Sequence, residues 1–414
     1  MSITKDRPYY TLGLLVVIYM SNYLDRVVLG IFGQAVKQDL QISDAQLGLL
    51  TGGAFAVVYG VMGVPLGRLA DRINRRWLLA GCVSLWSVMT LLSGLAANFL
   101  ALVLMRLGVA VGEAGCTPTA HSLLSDLFPP RRRSMAFGIY AMGPPLGIIV
   151  GSIGGGWVAQ ELGWRAGLMA VGVPGVFLAL ILLLTTREPV RGQHDGTSPE
   201  TDAFGSEQIP SFLSAVRIFA ADPMFVSVVL GLTGAAIAVY SLSIFTVPFL
   251  VRNYELDLRA AAGLFGLSYG AAGVFGSSVG AGITDWAGQR DSRWYAGVPA
   301  LGFSLGGVLL VSALFQDNHL VFIALFTSGA VLANMALAPA LALIQNRVPA
   351  RTRASASALI LMVTSLVGLG LGPTTTGLLS DHFAANIFRG GVFATACPGG
   401  FAPVGALASV SIGV

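Results

Sequence analysis

Four ionisable residues stand where ionisable residues are expensive: Asp25, Arg26, Arg106 and Glu113 each lie inside an apolar run. A charge at mid-bilayer costs roughly 2.5–3.5 kcal/mol on insertion scales, so such residues are functional candidates by default. Asp25 and Arg26 are neighbours and point about 100° apart on a helix, whereas Arg106 and Glu113 are two turns apart and fall near one face, about 10 Å from each other. Two acids with two guanidiniums can load and release a proton. Burial disfavours the ionised carboxylate, a nearby guanidinium favours it, and a change in wetting tips the balance. Either arginine could also hold an anionic head. The purely structural alternative is a buried ion-pair network that only ties two helices together. His121, two turns beyond Glu113, could extend a proton relay, although a packing role is the plainer reading. Other chemistries are poorly served. His121, His194, His319 and His382 are dispersed, no HExxH or GxSxG pattern occurs, and Cys82, Cys116 and Cys397 are scattered. An enzyme, a metal site and a bound cofactor are therefore not expected; protons would be the coupling ion.

The elements that must position these charges follow from composition. Of 414 residues, 55% are apolar and 11% charged, against about 25% charged in a soluble domain. Apolar runs of about twenty residues recur at 9–33, 46–66, 77–95, 98–125, 135–158, 166–186, 223–251, 258–282, 294–315, 319–344 and 355–379. Each is long enough to cross a bilayer as a helix, so eleven spans are expected in an all-α integral membrane protein. The start, Met1 to Arg7, has no small-residue cleavage site before the first run and reads as leading into a retained helix.

Basic residues orient the spans. One set of alternating loops holds seventeen Lys and Arg, from Lys5 and Arg7 through Arg68–Arg76, Arg131–Arg133 and Arg187 to Arg353; the other holds Lys37, Arg165, Arg252, Arg259 and Arg389. By the positive-inside rule the N-terminus and central loop are cytoplasmic. The same distribution accounts for the net charge of +4 without a nucleic-acid partner.

The longest polar stretch separates two halves, giving an N-terminal six-helix bundle (1–186), a cytoplasmic linker (187–221) and a C-terminal helix bundle (222–414). The halves repeat. GRLADRINRR at 67–76 matches AGITDWAGQR at 281–290, superposing Asp71 on Asp285 and Arg76 on Arg290, and FPPRRRSMA at 128–136 matches VPARTRASA at 348–356. Two matches in the same order indicate tandem duplication of a six-span unit. The offset places Arg106 near Phe326 and Glu113 near Ala333, and span seven carries no charge between Met224 and Val251. The membrane charges thus belong to one half only, which assigns proton coupling to that half.

GRLADRINRR resembles the signature of the major facilitator superfamily between spans two and three, departing at Asn74 where glycine is usual. GPPLGIIVGSIGGG at 143–156 resembles the superfamily's antiporter signature. NYLDR at 22–26, RLGVAVGEAG at 106–115 and LSDLFPPRRRSMAFGIY at 124–140 resemble the spinster group of lipid transporters. The resemblance covers about residues 9–383. It implies a major facilitator fold of two pseudo-symmetric six-helix bundles, with spans one and four lining a central cavity. It implies alternating access and an amphiphilic cargo of the lysolipid or sphingoid-phosphate class; a drug or organic-anion carrier, or a transport-dead sensor, is the alternative. A monomer in the lipid bilayer is expected. The twelfth span is expected to be poorly formed or missing, because 384–414 contains ACPGGFAP and only about 11 apolar residues after it.

Two further groups follow. In the loop motif, Gly67 permits close helix approach, Asp71 can accept from backbone N–H groups, and Arg72, Arg75 and Arg76 supply opposing charge. The resemblance implies that they latch the cytoplasmic side. For the cargo, Tyr23, His121, Tyr240, Ser241, Phe245, Asn334, Met335 and Thr364 are candidates by residue type and span. Gly143, Gly147, Gly151 and Gly155 form a four-residue stripe suited to close packing or sliding, and Pro144 and Pro145 are expected to bend span five.

Overall fold

Backbone groups in hydrocarbon have no water to bond, which forces each apolar run into a helix. The computed structural model describes residues 7–190, 217, 220–291, 293–347, 359–360 and 362–387. Span one is Pro8–Ile31. Span two starts at Asp44 and passes through a π-helical turn, Leu49–Gly53, into Ala54–Arg72. Span three is Arg75–Ser93, and span four is Phe99–Ala114 continued as Cys116–Leu127. Span five starts as Pro130–Tyr140 and turns at Ala141 and Met142, just ahead of Pro144 and Pro145, so the expected bend is present. It then shares the stretch Gly143–Thr185 with span six, broken at Gly163, whose φ of 83° suits glycine. Spans seven to ten are Pro223–Tyr254, Leu258–Gly288, Trp294–Leu314 and His319–Arg347; span eleven joins a π-helical turn, Thr364–Leu369, to Gly370–Ile387. All eleven expected spans are therefore represented. Residues 388–414, where the twelfth was expected to fail, lie outside the described residues, as do most of the linker and the second repeat at 348–356.

Local signals set the ends. Asn74, the departure from the loop signature, caps span three: its Oδ1 accepts from Trp77 N at 3.1 Å. Ser43 and Gln46 form a reciprocal capping box at the start of span two. Asn98, Asp222 and Asp257 accept from the first backbone N–H groups of spans four, seven and eight.

Chain direction gives the molecule two faces. The N-terminal face carries Pro8, the 72–75 turn and Thr186; the far face carries residues 32–43, 94–98, Gly163 and 255–257. Within the first half, the glycine stripe on span five lies against span one. Gly143 faces Tyr19, Gly147 faces Met20 and Tyr23, Gly151 faces Leu24 and Gly155 faces Val28. The stripe thus fastens helices of the same half. The halves meet along three other seams, where Gly30 of span one approaches the Ile244 backbone of span seven, Gly52 of span two lies under Leu369 and Pro373 of span eleven, and Gly156 of span five abuts Ala262 of span eight.

Candidate functional site

Span one presents Asp25 and Arg26 in different directions, as the 100° offset requires, and each finds a partner on span four. Arg26 Nε donates to Glu113 Oε2 at 2.5 Å, and Arg106 Nη1 donates to Asp25 Oδ2 at 3.1 Å. Thr90 of span three donates to the other Asp25 oxygen at 2.8 Å. Glu113 has no exposed side-chain surface, whereas Arg26 keeps 15%. Helical spacing put Arg106 and Glu113 on one face, and the structure adds the crossed pairing: each half of the span-four face takes an opposite charge from span one.

The pairs are incompletely satisfied. Glu113 Oε1 and Arg106 Nε are buried with no hydrogen-bond partner among the described residues. A buried carboxylate oxygen without a hydrogen-bond partner is costly. Aromatic faces complete the surroundings: Arg26 lies 4.6 Å from the Tyr59 ring centroid, 5.2 Å from Tyr23 and 5.4 Å from Phe55, and Phe55 also takes Arg106 at 5.5 Å.

Two of these charges, Arg26 and Arg106, border a cavity of about 230 Å³ between the halves. Tyr23, Arg26, Thr51, Phe55 and Arg106 line it from the first half, and Tyr240, Ser243, Ile244, Tyr269 and Leu369 from the second. The two guanidiniums reach the wall, while Asp25 and Glu113 sit behind them. The cavity wall is mostly apolar, through Val27, Phe55, Ile148, Val239, Ile244 and Leu369, and its charged and phenolic points are the two arginines and the three tyrosines, a lining suited to an anionic or zwitterionic head beside apolar surface.

Of the eight cargo candidates, Tyr23 and Tyr240 line this cavity. The others do not border it in this conformation. Ser241 accepts from Thr376 of span eleven at 3.0 Å. Asn334 and Met335 pack on Gly276 and Gly280 of span eight. Thr364 donates to the Ile360 carbonyl. Phe245 belongs to the far-face core. His121 is exposed on the N-terminal-face portion of span four, edge-on to Phe137 and Tyr140. Residue type alone could not separate wall from packing. Thr51, Phe55, Tyr59, Thr90, Ser243 and Tyr269 were missed, because a lone hydroxyl or ring in an apolar run carries no signal.

The loop motif has a definite geometry. Arg75 is buried and bridges four partners: it donates to Asp126 at the end of span four, to Glu188 after span six at 2.7 Å, to Ser122 Oγ at 2.9 Å and to the Pro189 carbonyl at 3.2 Å. Arg76 donates from Nη1 to the Thr186 carbonyl at 2.6 Å, and its backbone N–H meets Glu188. These two arginines tie spans three, four and six of the same half. Arg72 is exposed, Gly67 lies near Pro118, and the Asp71 side chain lies outside what is described. Asp126 and Glu188 were not anticipated.

The far face is sealed between halves. Arg252 of span seven donates to both oxygens of Asp44, at 3.0 and 2.8 Å, and to Gln34 at 3.0 Å. Lys37 and Ser380 also reach Asp44, each at 2.9 Å. Asp381 of span eleven accepts the backbone N–H groups of Asp44 and Ala45.

A sequence profile of the Major Facilitator Superfamily matches residues 15–373. The chain belongs to that superfamily. It is 34% identical over 382 residues to an MFS-type efflux pump of Mycolicibacterium smegmatis, covering 92% of this chain and 86% of the relative. Mouse spinster homolog 1 is 32% identical over 256 residues, 60% of this chain but 47% of the mouse protein, so that match spans about half of the relative. Among solved structures, a bacterial homologue of the human lysosomal transporter spinster, inward-facing and unoccupied, superposes with a TM-score of 0.84 at 34% identity, covering 93% of this chain and 85% of that one. The nucleoside transporter NupG, at 18% identity and a TM-score of 0.67, shares the fold. This superfamily member is thus a multi-pass membrane transporter related to spinster, and its relatives are carriers, not enzymes.

Proposed function

We propose that this chain is a proton-coupled secondary carrier that moves an amphiphilic lipid of the lysolipid or sphingoid-phosphate class by alternating access, as a monomer in a bacterial inner membrane with its N-terminus cytoplasmic. The observation that carries the reading is the layering of the central site: guanidiniums on the cavity wall, carboxylates behind them, and all four charges in one half. An anionic head entering the cavity competes with Glu113 for Arg26 and with Asp25 for Arg106. Glu113, losing its cation in a dry setting, takes a proton. When the halves rock and the site opens to the other side, water returns, the proton leaves and Arg26 recaptures Glu113, expelling the head. A volume of about 230 Å³ holds a headgroup and little more, so the acyl tail extends into a seam between the halves.

With the 72–75 turn in the cytoplasm, the seal around Asp44 lies on the periplasmic side, and the chain is in an inward-facing state. Arg75 and Arg76 then bind their own half, and the loop motif is free to latch the halves when the cytoplasmic side closes. The relation to an efflux pump supports a second reading, a drug or organic-anion carrier using the same charges. The deciding experiment is flux of a labelled lysolipid in liposomes under an imposed pH gradient, with wild type against Glu113→Gln. Gradient-driven flux that is lost in the folded variant supports coupling. Flux that Glu113→Gln leaves intact refutes it, and no counterflow of any lipid in the wild type refutes lipid carriage.

A further inference from the structure

The outer surface of the span five–span eight seam carries a feature that the transport cycle does not use. At its far-face end a recess of about 670 Å³ is bordered by Trp157 and Gly154 of span five and by Asp257, Arg259 and Gly263 at the start of span eight. Asp257 and Arg259 are both exposed; Asp257 Oδ1 accepts from Ala260 N at 2.6 Å as the cap of span eight, which leaves its second oxygen for a ligand. The Arg259 guanidinium has no hydrogen bond or ion pair among the described residues; only its backbone N–H is engaged, with Gln160 Oε1 at 3.0 Å. A second, almost wholly apolar trough of about 570 Å³ shares Gly154 and Trp157 with this recess. It continues between spans one, five and six, from Gly167 to Leu178 along span six. That length is about 16 Å at 1.5 Å per residue, close to the ~15 Å hydrocarbon depth of one leaflet, half the bilayer core.

We propose that a phospholipid of the far leaflet with an amine-bearing zwitterionic head, such as phosphatidylethanolamine, occupies this site and staples the two halves together at the far face. Arg259 holds the phosphate as a charge-assisted hydrogen-bond donor. Asp257 takes the ammonium, whose N–H groups a trimethylated head lacks and whose charge a glycerol head lacks. Trp157 sits at the level where interfacial aromatics anchor, and an acyl chain fills the trough below it. The staple follows from position. The recess is walled by span five on one side and span eight on the other, so a lipid seated in it is bound only while these helices are together at this end. Its binding therefore favours the far-face-closed arrangement.

The test needs neither substrate nor proton gradient, so it stands apart from the carrier reading. Wild type, Asp257→Asn and Arg259→Gln are extracted from nanodiscs of equal phosphatidylethanolamine, phosphatidylcholine and phosphatidylglycerol, and retained lipid is counted by native mass spectrometry. Wild type should retain phosphatidylethanolamine about fivefold over the other two, the factor an interfacial ion pair of ~1 kcal/mol supplies. Asp257→Asn should erase that preference and Arg259→Gln should reduce all three. Equal retention in wild type, a preference for phosphatidylglycerol, or a preference that survives Asp257→Asn overturns the site. Spin-label distances across the far face, compared in discs with and without phosphatidylethanolamine, test the staple; a closed population that does not rise with this lipid overturns it.

Discussion

Removing the Asp44 side chain should open the far face. Asp44 collects two hydrogen bonds from Arg252 and one each from Lys37 and Ser380. Its side chain is 5% exposed and that of Arg252 13%, so the pair is largely desolvated when closed and hydrated when open. Deleting one partner of a buried pair costs about 3–5 kcal/mol, mostly by stranding the other charge. Because Arg252 lies near the surface, the lower end applies. About 3 kcal/mol corresponds to roughly a hundredfold fall in the closed-to-open ratio. A protein closed 99 times in a hundred would then sit near parity. Asp44→Asn keeps an acceptor without the charge and should fall between. Asp381 holds the same end of span two through the Asp44 and Ala45 backbone N–H groups, so Asp44→Ala with Asp381→Ala should exceed Asp44→Ala alone. Double electron–electron resonance between labels on the span-one and span-seven ends would read the populations. Closed populations equal to wild type in all three variants would refute the assignment of the seal to this cluster.

Other expectations follow from the same geometry. Arg106→Ala strands Asp25 beside Thr90 alone and should lower the stability of the detergent-solubilised protein by about 3–5 kcal/mol; adding Asp25→Asn should recover a good part of it, as read by thermal unfolding, whereas equal losses in both would argue against the pair. Arg75→Ala should destabilise the first half by about 3 kcal/mol while leaving far-face distances unchanged, since its partners Asp126 and Glu188 are in the same half. Gly112→Ala puts a methyl group 2.7 Å from Trp86 N and 2.8 Å from the Cys82 carbonyl, and should cost about 1–3 kcal/mol by overpacking spans three and four; unaltered folding yield would contradict that contact.

Hydropathy made the spans legible because a bilayer leaves the backbone one option. The charged residues were legible for the same reason: in oil a charge needs a purpose. Which arginine meets which acid was not legible, since spacing along one helix says nothing of the rotation of its neighbour. Span one could have offered either residue to Glu113. The seal at Asp44 was invisible as well, because Lys37, Asp44, Arg252 and Asp381 sit in loops and helix ends where charge is ordinary, and only the approach of spans seven and eleven gives them meaning. Asn74 is the reverse case. It broke a family pattern, and a local rule explains it: asparagine caps the helix that follows.

The duplicated fold offers a test of purpose within one chain. If charges were needed to pack span four against span one, the second half, with the same topology, should carry an equivalent. At the matching position stands Phe326, 1% exposed. It packs on Phe322, Phe265 and Tyr269, whose ring centroids lie 5.5, 6.5 and 6.3 Å away. Phe322 stacks in turn on Phe249 of span seven, with centroids 5.2 Å apart, so aromatic rings fill in the second half the contact that ion pairs fill in the first. The same architecture is stable with rings, and rings avoid the desolvation that a buried ion pair incurs. The first half retains the costlier solution, with a carboxylate oxygen left unpaired and two guanidiniums turned toward the space between the halves. Packing alone does not require that arrangement, and the proposed exchange of a proton against a charged head would use it.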